Sequence, residues 1–216
     1  VATAALIDRS FTTTKPMRIT ADTAVDSMTH AIEAYVSRKA FAYTDAFALP
    51  AMAAIAKHVR TACQDPENAE ARAALMLAAS QAGMAFSNAS VALVHGMSRP
   101  IGAHFHVAHG LSNAMLLPAI TEFSVGSAQA RYATCARVMG WAGDSDNDTL
   151  ACASLVDGLK TLNADLKVPR VGELGHVASD EMLALMGAQA RASGAPQNNP
   201  LVPTAEEIVA LYEKVW

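Results

Sequence analysis

An all-α fold is what this 216-residue chain predicts, and three observations carry that reading. Apolar residues recur at three- and four-residue spacing through most of its length, which is the period of a helix face. Strand-like patterning is confined to residues 3–8. Capping residues and prolines punctuate the periodic runs where helices should begin and end.

In chain order, Ala5-Leu6-Ile7-Asp8 reads as the tail of a strand. With a chain that opens at Val1 rather than methionine, it leads us to expect that an amino-terminal part precedes these residues. Thr20 or Asp22 can cap a helix over Thr23–Arg38, in which Val25, Met28, Ile32 and Tyr35 share a face. Thr44 starts a second helix over Asp45–Cys63, closed before Pro66. Pro66–Asn88 is a third, so rich in Ala and Met on every side that it is expected deep inside a bundle. Ala92–Ser98 follows, with a turn at Arg99-Pro100-Ile101-Gly102, and then His109–Phe123, Ser127–Met139 and Thr149–Leu166. Val168-Pro169 breaks the series. Ser179–Ala192 and Thr204–Val215 close it, the last opened by the capping box Thr204-Ala205-Glu206-Glu207.

Composition narrows the function. With 52% hydrophobic and 17% charged residues the chain can bury a large core. A net charge of −4 without a basic run excludes nucleic acid as the expected partner and favours a small molecule. The longest charge-free apolar stretch, Ala46–Ala56, is about half of the roughly 20 residues a bilayer span needs, and Asp8 and Arg9 interrupt any signal-peptide core, so no membrane role is expected. Cys63, Cys135 and Cys152 form no CxxC pair and read as small buried hydrophobes in a reducing, cytoplasmic setting.

The chemistry lies in four side chains. Asp26 and His30 are four residues apart, so a helix puts them on one face, while His95 and His109 flank the Gly/Pro-containing segment downstream. One carboxylate and three imidazoles can close on one divalent cation; the competing reading is hydrogen-bonded structural histidines. Glu33, one turn beyond His30, reads as a helix-face charge or a partner behind a ligand. His58 and His176 read as surface groups, and His104 and His106 as packing residues or outer supports of the site. Gly83 suggests tight helix packing, and Gly96 either packing or space for a ligand.

Several segments resemble one family. Thr23–Ser37, His95-Gly96-Met97-Ser98-Arg99-Pro100-Ile101-Gly102-Ala103 and His109-Gly110-Leu111-Ser112-Asn113-Ala114-Met115-Leu116-Leu117-Pro118 are similar to the carboxy-terminal domain of the iron-dependent, or group III, alcohol dehydrogenases. Ser193–Pro200 and Ile208–Trp216 extend the resemblance to the end of the chain. It implies the metal-binding half of a two-domain dehydroquinate synthase-like fold. Residues 1–19 would then be the connecting strand and hinge from a missing NAD(P)-binding domain, and residues 20–216 the helical catalytic domain. No Gly-Gly pair or GxGxxG occurs here to cradle a dinucleotide phosphate.

The resemblance also implies an NAD(P)-dependent alcohol dehydrogenase, expected to be a homo-oligomer acting on a small alcohol or aldehyde. Asp26, His30, His95 and His109 would hold the metal, Fe(II) foremost or Zn(II), as a centre of net charge +1. Ile19 matches a position facing the cofactor, with a hinge residue packed in the core as the plainer alternative. The chain departs from the family where Arg99 stands in place of a frequent histidine. Arginine cannot relay protons near neutral pH but can bind an acid, which points to a hydroxy acid or semialdehyde acid; an ion pair to the cofactor domain is the alternative. Ala24 and Ala108 replace a usual glycine and proline. The 216-residue piece alone is expected to bind metal without turnover. A helical metal hydrolase is disfavoured because no His-Asp doublet occurs, and a non-catalytic helical binding or assembly module remains the third reading.

Overall fold

The structure of the chain, a computed structural model, describes residues 3–216. Among the described residues are nine α-helices: α1 Met17–Val36, α2 Ala42–Gln64, α3 Ala69–Ala89, α4 Leu93–Phe105, α5 His109–Ser124, α6 Gln129–Val138, α7 Asp148–Asp165, α8 Asp180–Ala192 and α9 Ala205–Val215. No strand occurs among the described residues, which corrects the expectation at residues 3–8. An extended segment becomes a strand only when a neighbour pairs its N–H and C=O groups, and none does so here. Instead, Asp8 caps a short 3-10 turn at Arg9–Thr12, accepting from the Ser10 amide at 2.8 Å.

Helix α1 is the axis of the bundle. Ala21, Val25, Met28 and Ile32, at i, i+4, i+7 and i+11, are all but inaccessible, and α2, α3 and α5 pack around them. The helix starts six residues before the predicted Thr23. Pro16 fixes the entry, and Arg18 ties the first turn down by donating to the Leu166 and Lys167 carbonyls and pairing with Asp22 at 2.6 Å. Thr20 and Asp22 therefore lie inside the helix and cap nothing.

Helix α3 is not the deeply buried rod its composition suggests. It buries an alanine stripe, Ala78, Ala82, Ala85 and Ala89, while Leu77 and Met84 are half exposed. Small residues let it lie close to α1 and α2 from outside. A Cβ at Gly83 would meet nothing within 4 Å, so that glycine is not a tight-packing residue.

Helix α4 continues through the predicted turn. Pro100 sits inside it, forfeiting one amide, yet Leu93, Val94, Met97 and Ile101 are buried and the Tyr212 hydroxyl donates to the Met97 carbonyl at 2.7 Å. Tertiary packing outweighs the proline's cost. His106, left-handed at φ 55°, finally ends the helix. The remaining helices lie close to prediction, including the capping box of Thr204 and Glu207. The three cysteines are buried and free. No single helix among the described residues is long and apolar enough to cross a bilayer; α3 and α4 qualify only as a pair, bent by 104°.

Candidate metal centre

Three helices converge on one point beside the middle of α1. Asp26 and His30 occupy one face of α1, and Glu33 follows one turn later. The His30 ring is held in a stack between Phe86 of α3, with ring centroids 4.2 Å apart, and His95 of α4, at 4.3 Å.

Glu33 is buried and does two things at once. Its carboxylate accepts from the Ala92 amide at 2.9 Å and the Val94 amide at 2.6 Å, satisfying donors at the start of α4 that no helical carbonyl can reach. It also lies 2.6 Å from His95 Nδ1. A carboxylate here accepts the Nδ1 proton, so the second nitrogen of His95, Nε2, faces Asp26 at 3.5 Å. Its burial overturns the helix-face alternative for Glu33 and places its carboxylate behind the His95 ring.

His109 opens α5, and Gly110 explains how it reaches the site. A Cβ on Gly110 would stand 2.5 Å from the Asp22 carbonyl oxygen, so α5 meets the backbone of α1 with nothing between them. That contact sets His109 Nε2 3.6 Å from Asp26 Oδ1. Gly96 has a similar role on α4: its Cβ would meet the Pro196 ring at 2.9 Å, so packing, not a ligand, occupies that space.

The donor atoms of Asp26, His30, His95 and His109 all lie within 4.8 Å of one another. Asp26 Oδ1 is 3.8, 3.5 and 3.6 Å from His30, His95 and His109. Two metal–ligand bonds of about 2.1 Å at roughly tetrahedral angles hold their donor atoms about 3.4 Å apart, so the three Asp26–histidine pairs already have the spacing of ligands that share one divalent cation. Its chemistry, one carboxylate, three imidazoles and no thiolate, suits Fe(II) or Zn(II).

Electrostatics in the absence of a cation follow from the crowding. Burial and the neighbouring His95 push the His30 pKa down to about 4. Burial opposes charge on His95 too, but Glu33 and Asp26 outweigh it and raise its pKa to about 9. Burial would raise the Asp26 pKa, yet His95, His30 and Asn113 together hold it below the usual range. His109 is depressed by burial, His95 and Arg99.

Arg99 is exposed one turn beyond His95, and no described residue forms an ion pair with it. Ile19 lies two turns before Asp26 on the same face and is 47% exposed, which removes the core-packing alternative for it. His104 and His106 do not support the site: His104 Nε2 pairs with Gln189 Oε1 at 2.8 Å and His106 caps α4 from the surface. His58 and His176 are half-buried away from the donor cluster, the His176 carbonyl accepting from the Trp216 indole. Sequence reasoning missed Asn113, whose Nδ2 stands 2.6 Å from Asp26 Oδ1 and 3.2 Å from both His95 Nε2 and His109 Nε2. The signal was present: Asn113 follows His109 by four residues, the same spacing that paired Asp26 with His30.

Comparison with known proteins gives a consistent result. A family profile described as "Fe-containing alcohol dehydrogenase family, C-terminal" matches residues 20–216. Probable alcohol dehydrogenase EutG of Escherichia coli (strain K12) is 34% identical over 212 residues, 96% of this chain and 51% of that protein. Lactaldehyde reductase of the same strain is 35% identical over 213 residues, 98% of this chain and 55% of that protein. The crystal structure of a 1,3-propanediol oxidoreductase superposes with a TM-score of 0.93 at 30% identity, covering 97% of this chain and 55% of that one. The chain spans about half the length of the curated relatives it matches.

Proposed function

The chain belongs to the Fe-containing alcohol dehydrogenase family as its C-terminal portion, and from that membership we propose that it is the metal-binding half of an NAD(P)-dependent alcohol dehydrogenase interconverting a small alcohol and its aldehyde or ketone. On this reading residues 20–216 are the catalytic metal domain and residues 1–19 the connection from a nucleotide-binding domain. The start of the family match at residue 20 and the half-length coverage of relatives support that division. One observation carries the proposal: Asp26, His30, His95 and His109 reach one point from three helices.

Bound there, Fe(II) or Zn(II) would supply Lewis-acid stabilisation of the alkoxide character the substrate oxygen gains as hydride leaves its carbon. The chain's own residues prepare that event. Asp26 brings the single negative charge of the donor set. Glu33 fixes the tautomer and ring orientation of His95 so that Nε2 is the donor nitrogen. Phe86 packs against the His30 ring and shields it from water. His109, with 51% of its side chain exposed, marks the open side by which substrate and cofactor approach. Ile19, exposed on the same side of α1, offers the nicotinamide an apolar contact. Relatives are named for NADPH and for NAD, so either nicotinamide suits the family.

For substrate class we infer a hydroxy acid or semialdehyde acid. Arg99 supports it: an exposed guanidinium without an ion-pair partner among the described residues, close enough to His109 to depress its pKa. A bidentate guanidinium–carboxylate pair is among the stronger charge-assisted contacts.

The test is metal analysis of the freshly purified full-length protein, followed by NAD(P)-dependent oxidation of a panel of neutral and acidic alcohols. One equivalent of metal and turnover that both vanish in Asp26→Ala are expected. Turnover that survives Asp26→Ala and His95→Ala would remove the proposal.

A further inference from the structure

Arg72, in the first turn of α3, is only 3% exposed, and no described residue forms an ion pair with it. Its Nε donates to the Pro66 carbonyl at 2.9 Å and its Nη1 to Thr20 Oγ1 at 2.8 Å, both neutral acceptors, while Nη2 is buried with no hydrogen-bond partner. Folded proteins normally pair a buried cation with an anion, because an uncompensated charge taken out of water is costly. No side chain supplies that anion here. The guanidinium lines a cleft of about 110 Å3 between α1, α3 and the turn that precedes α1, and a second cation, Lys15, lines the same cleft. Burial and the nearby Arg72 hold the Lys15 pKa below its ordinary value. No acidic side chain lines the cleft to separate the two charges, and Asp22 on α1 is engaged by Arg18 at 2.6 Å.

We propose that this cleft is an anion site for a phosphate group, held by Lys15, Arg72 and Thr20 where α1, α3 and the turn before α1 meet. The proposal is independent of the metal centre. Three considerations drive it. Two cations without an acid call for a ligand that carries more than one negative charge. The donors match a tetrahedral oxyanion: Lys15 commits one of its three ammonium hydrogens, to Thr23 Oγ1 at 3.3 Å, Arg72 Nη2 commits none, and the Thr20 hydroxyl accepts from Arg72 and still has its own proton to give. Guanidinium and ammonium groups make their stronger hydrogen bonds to such oxyanions. The size also agrees, since the cleft holds three or four waters at about 30 Å3 each, the space of one tetrahedral oxyanion. A bound phosphate would tie the segment before α1 to α3 and neutralise the guanidinium behind it.

The experiment is calorimetric titration of inorganic phosphate into the chelator-treated full-length protein and into its Asp26→Ala variant, so that no cation at the metal centre takes up the ligand. One equivalent is expected to bind in both, weakened by about 10-fold or more in Lys15→Met, which removes the charge and keeps the length of the side chain. Arg72→Met should abolish the same equivalent; should that variant fail to fold, Lys15→Met decides. Phosphate stabilises proteins in general by exclusion from their surfaces, so the Tm is read as a difference: phosphate should raise it more in wild type than in Lys15→Met. Phenyl phosphate distinguishes the sources of the group, competition marking a phosphate carried on an organic molecule and its absence marking the free ion. Phosphate affinity unchanged in Lys15→Met would overturn the proposal. So would the absence of binding, as when a carboxylate from elsewhere in the full-length protein fills the cleft.

Discussion

Glu33→Gln is the most informative single change, because it keeps the volume and removes only the charge and one acceptor. In the native protein the carboxylate accepts three hydrogen bonds from buried donors: Ala92 N, Val94 N and His95 Nδ1. A glutamine has one oxygen. Whichever way it turns, its NH2 faces at least one buried N–H, and the bonds it keeps are no longer charge-assisted. One unsatisfied buried donor costs about 1–3 kcal/mol, and the lost charge on the rest about 1 kcal/mol more, giving roughly 3 kcal/mol. At about 2–4 °C per kcal/mol for a domain of this size, the Tm of the metal-free protein should fall by roughly 6–12 °C. Loss of the partner behind His95 should weaken Zn(II) binding by about 10–100-fold. Scanning calorimetry of the metal-free variant reads the first quantity, and competition with a chelator reads the second. A Tm within about 2 °C of wild type together with unchanged Zn(II) affinity would refute the dual role assigned to Glu33.

Other outcomes follow from the same geometry. Gly110→Ala drives a Cβ to 2.5 Å from the Asp22 carbonyl oxygen, so it should destabilise by about 1–3 kcal/mol and weaken metal binding by moving His109, whereas Gly83→Ala, with nothing within 4 Å, should be neutral or stabilising by up to about 1 kcal/mol; paired chemical denaturation checks both. The metal-free protein should be most stable near pH 6.5. His95, raised to about 9, gives stability that is complete below its unfolded pKa and lost as pH rises through 9, while His30, lowered to about 4, binds its proton in the unfolded state first, so stability falls as pH drops from 6.5 towards 4. A denaturation midpoint that does not bend across pH 4–10 would contradict this. Arg99→His in the full-length enzyme should raise KM for acidic alcohols by about 10-fold or more, the worth of one charge-assisted contact, and leave neutral alcohols unchanged; equal effects on both classes would end the hydroxy-acid reading.

How far this was legible in the sequence depends on the range of each interaction. Asp26 and His30 were readable together because four residues of helix dictate their proximity. His95 and His109 were readable as ligand types, but what brings them to Asp26 is tertiary: the Glu33 carboxylate at the head of α4 and the bare Gly110 backbone against α1. Helix ends with local signals, such as Ser179 and Thr204, fell where predicted. Those overruled by packing did not. Pro100 promised a turn, yet the buried face of α4 carries the helix past it, and Arg18, bonded to carbonyls beyond α7, starts α1 earlier than any cap would indicate. Asn113 escaped notice although its four-residue spacing from His109 was readable, because only the donor cluster packed around it in three dimensions gives that spacing meaning.

The sandwich of His30 between Phe86 and His95 has a consequence for fidelity. A ring clamped on both faces cannot turn freely about its Cβ–Cγ bond, so its two nitrogens are held from trading places and the same atom stays turned to Asp26. Carving the clamp down to alanine at Phe86 should leave the composition of the site untouched while letting the imidazole wander, and loading would then become heterogeneous from molecule to molecule.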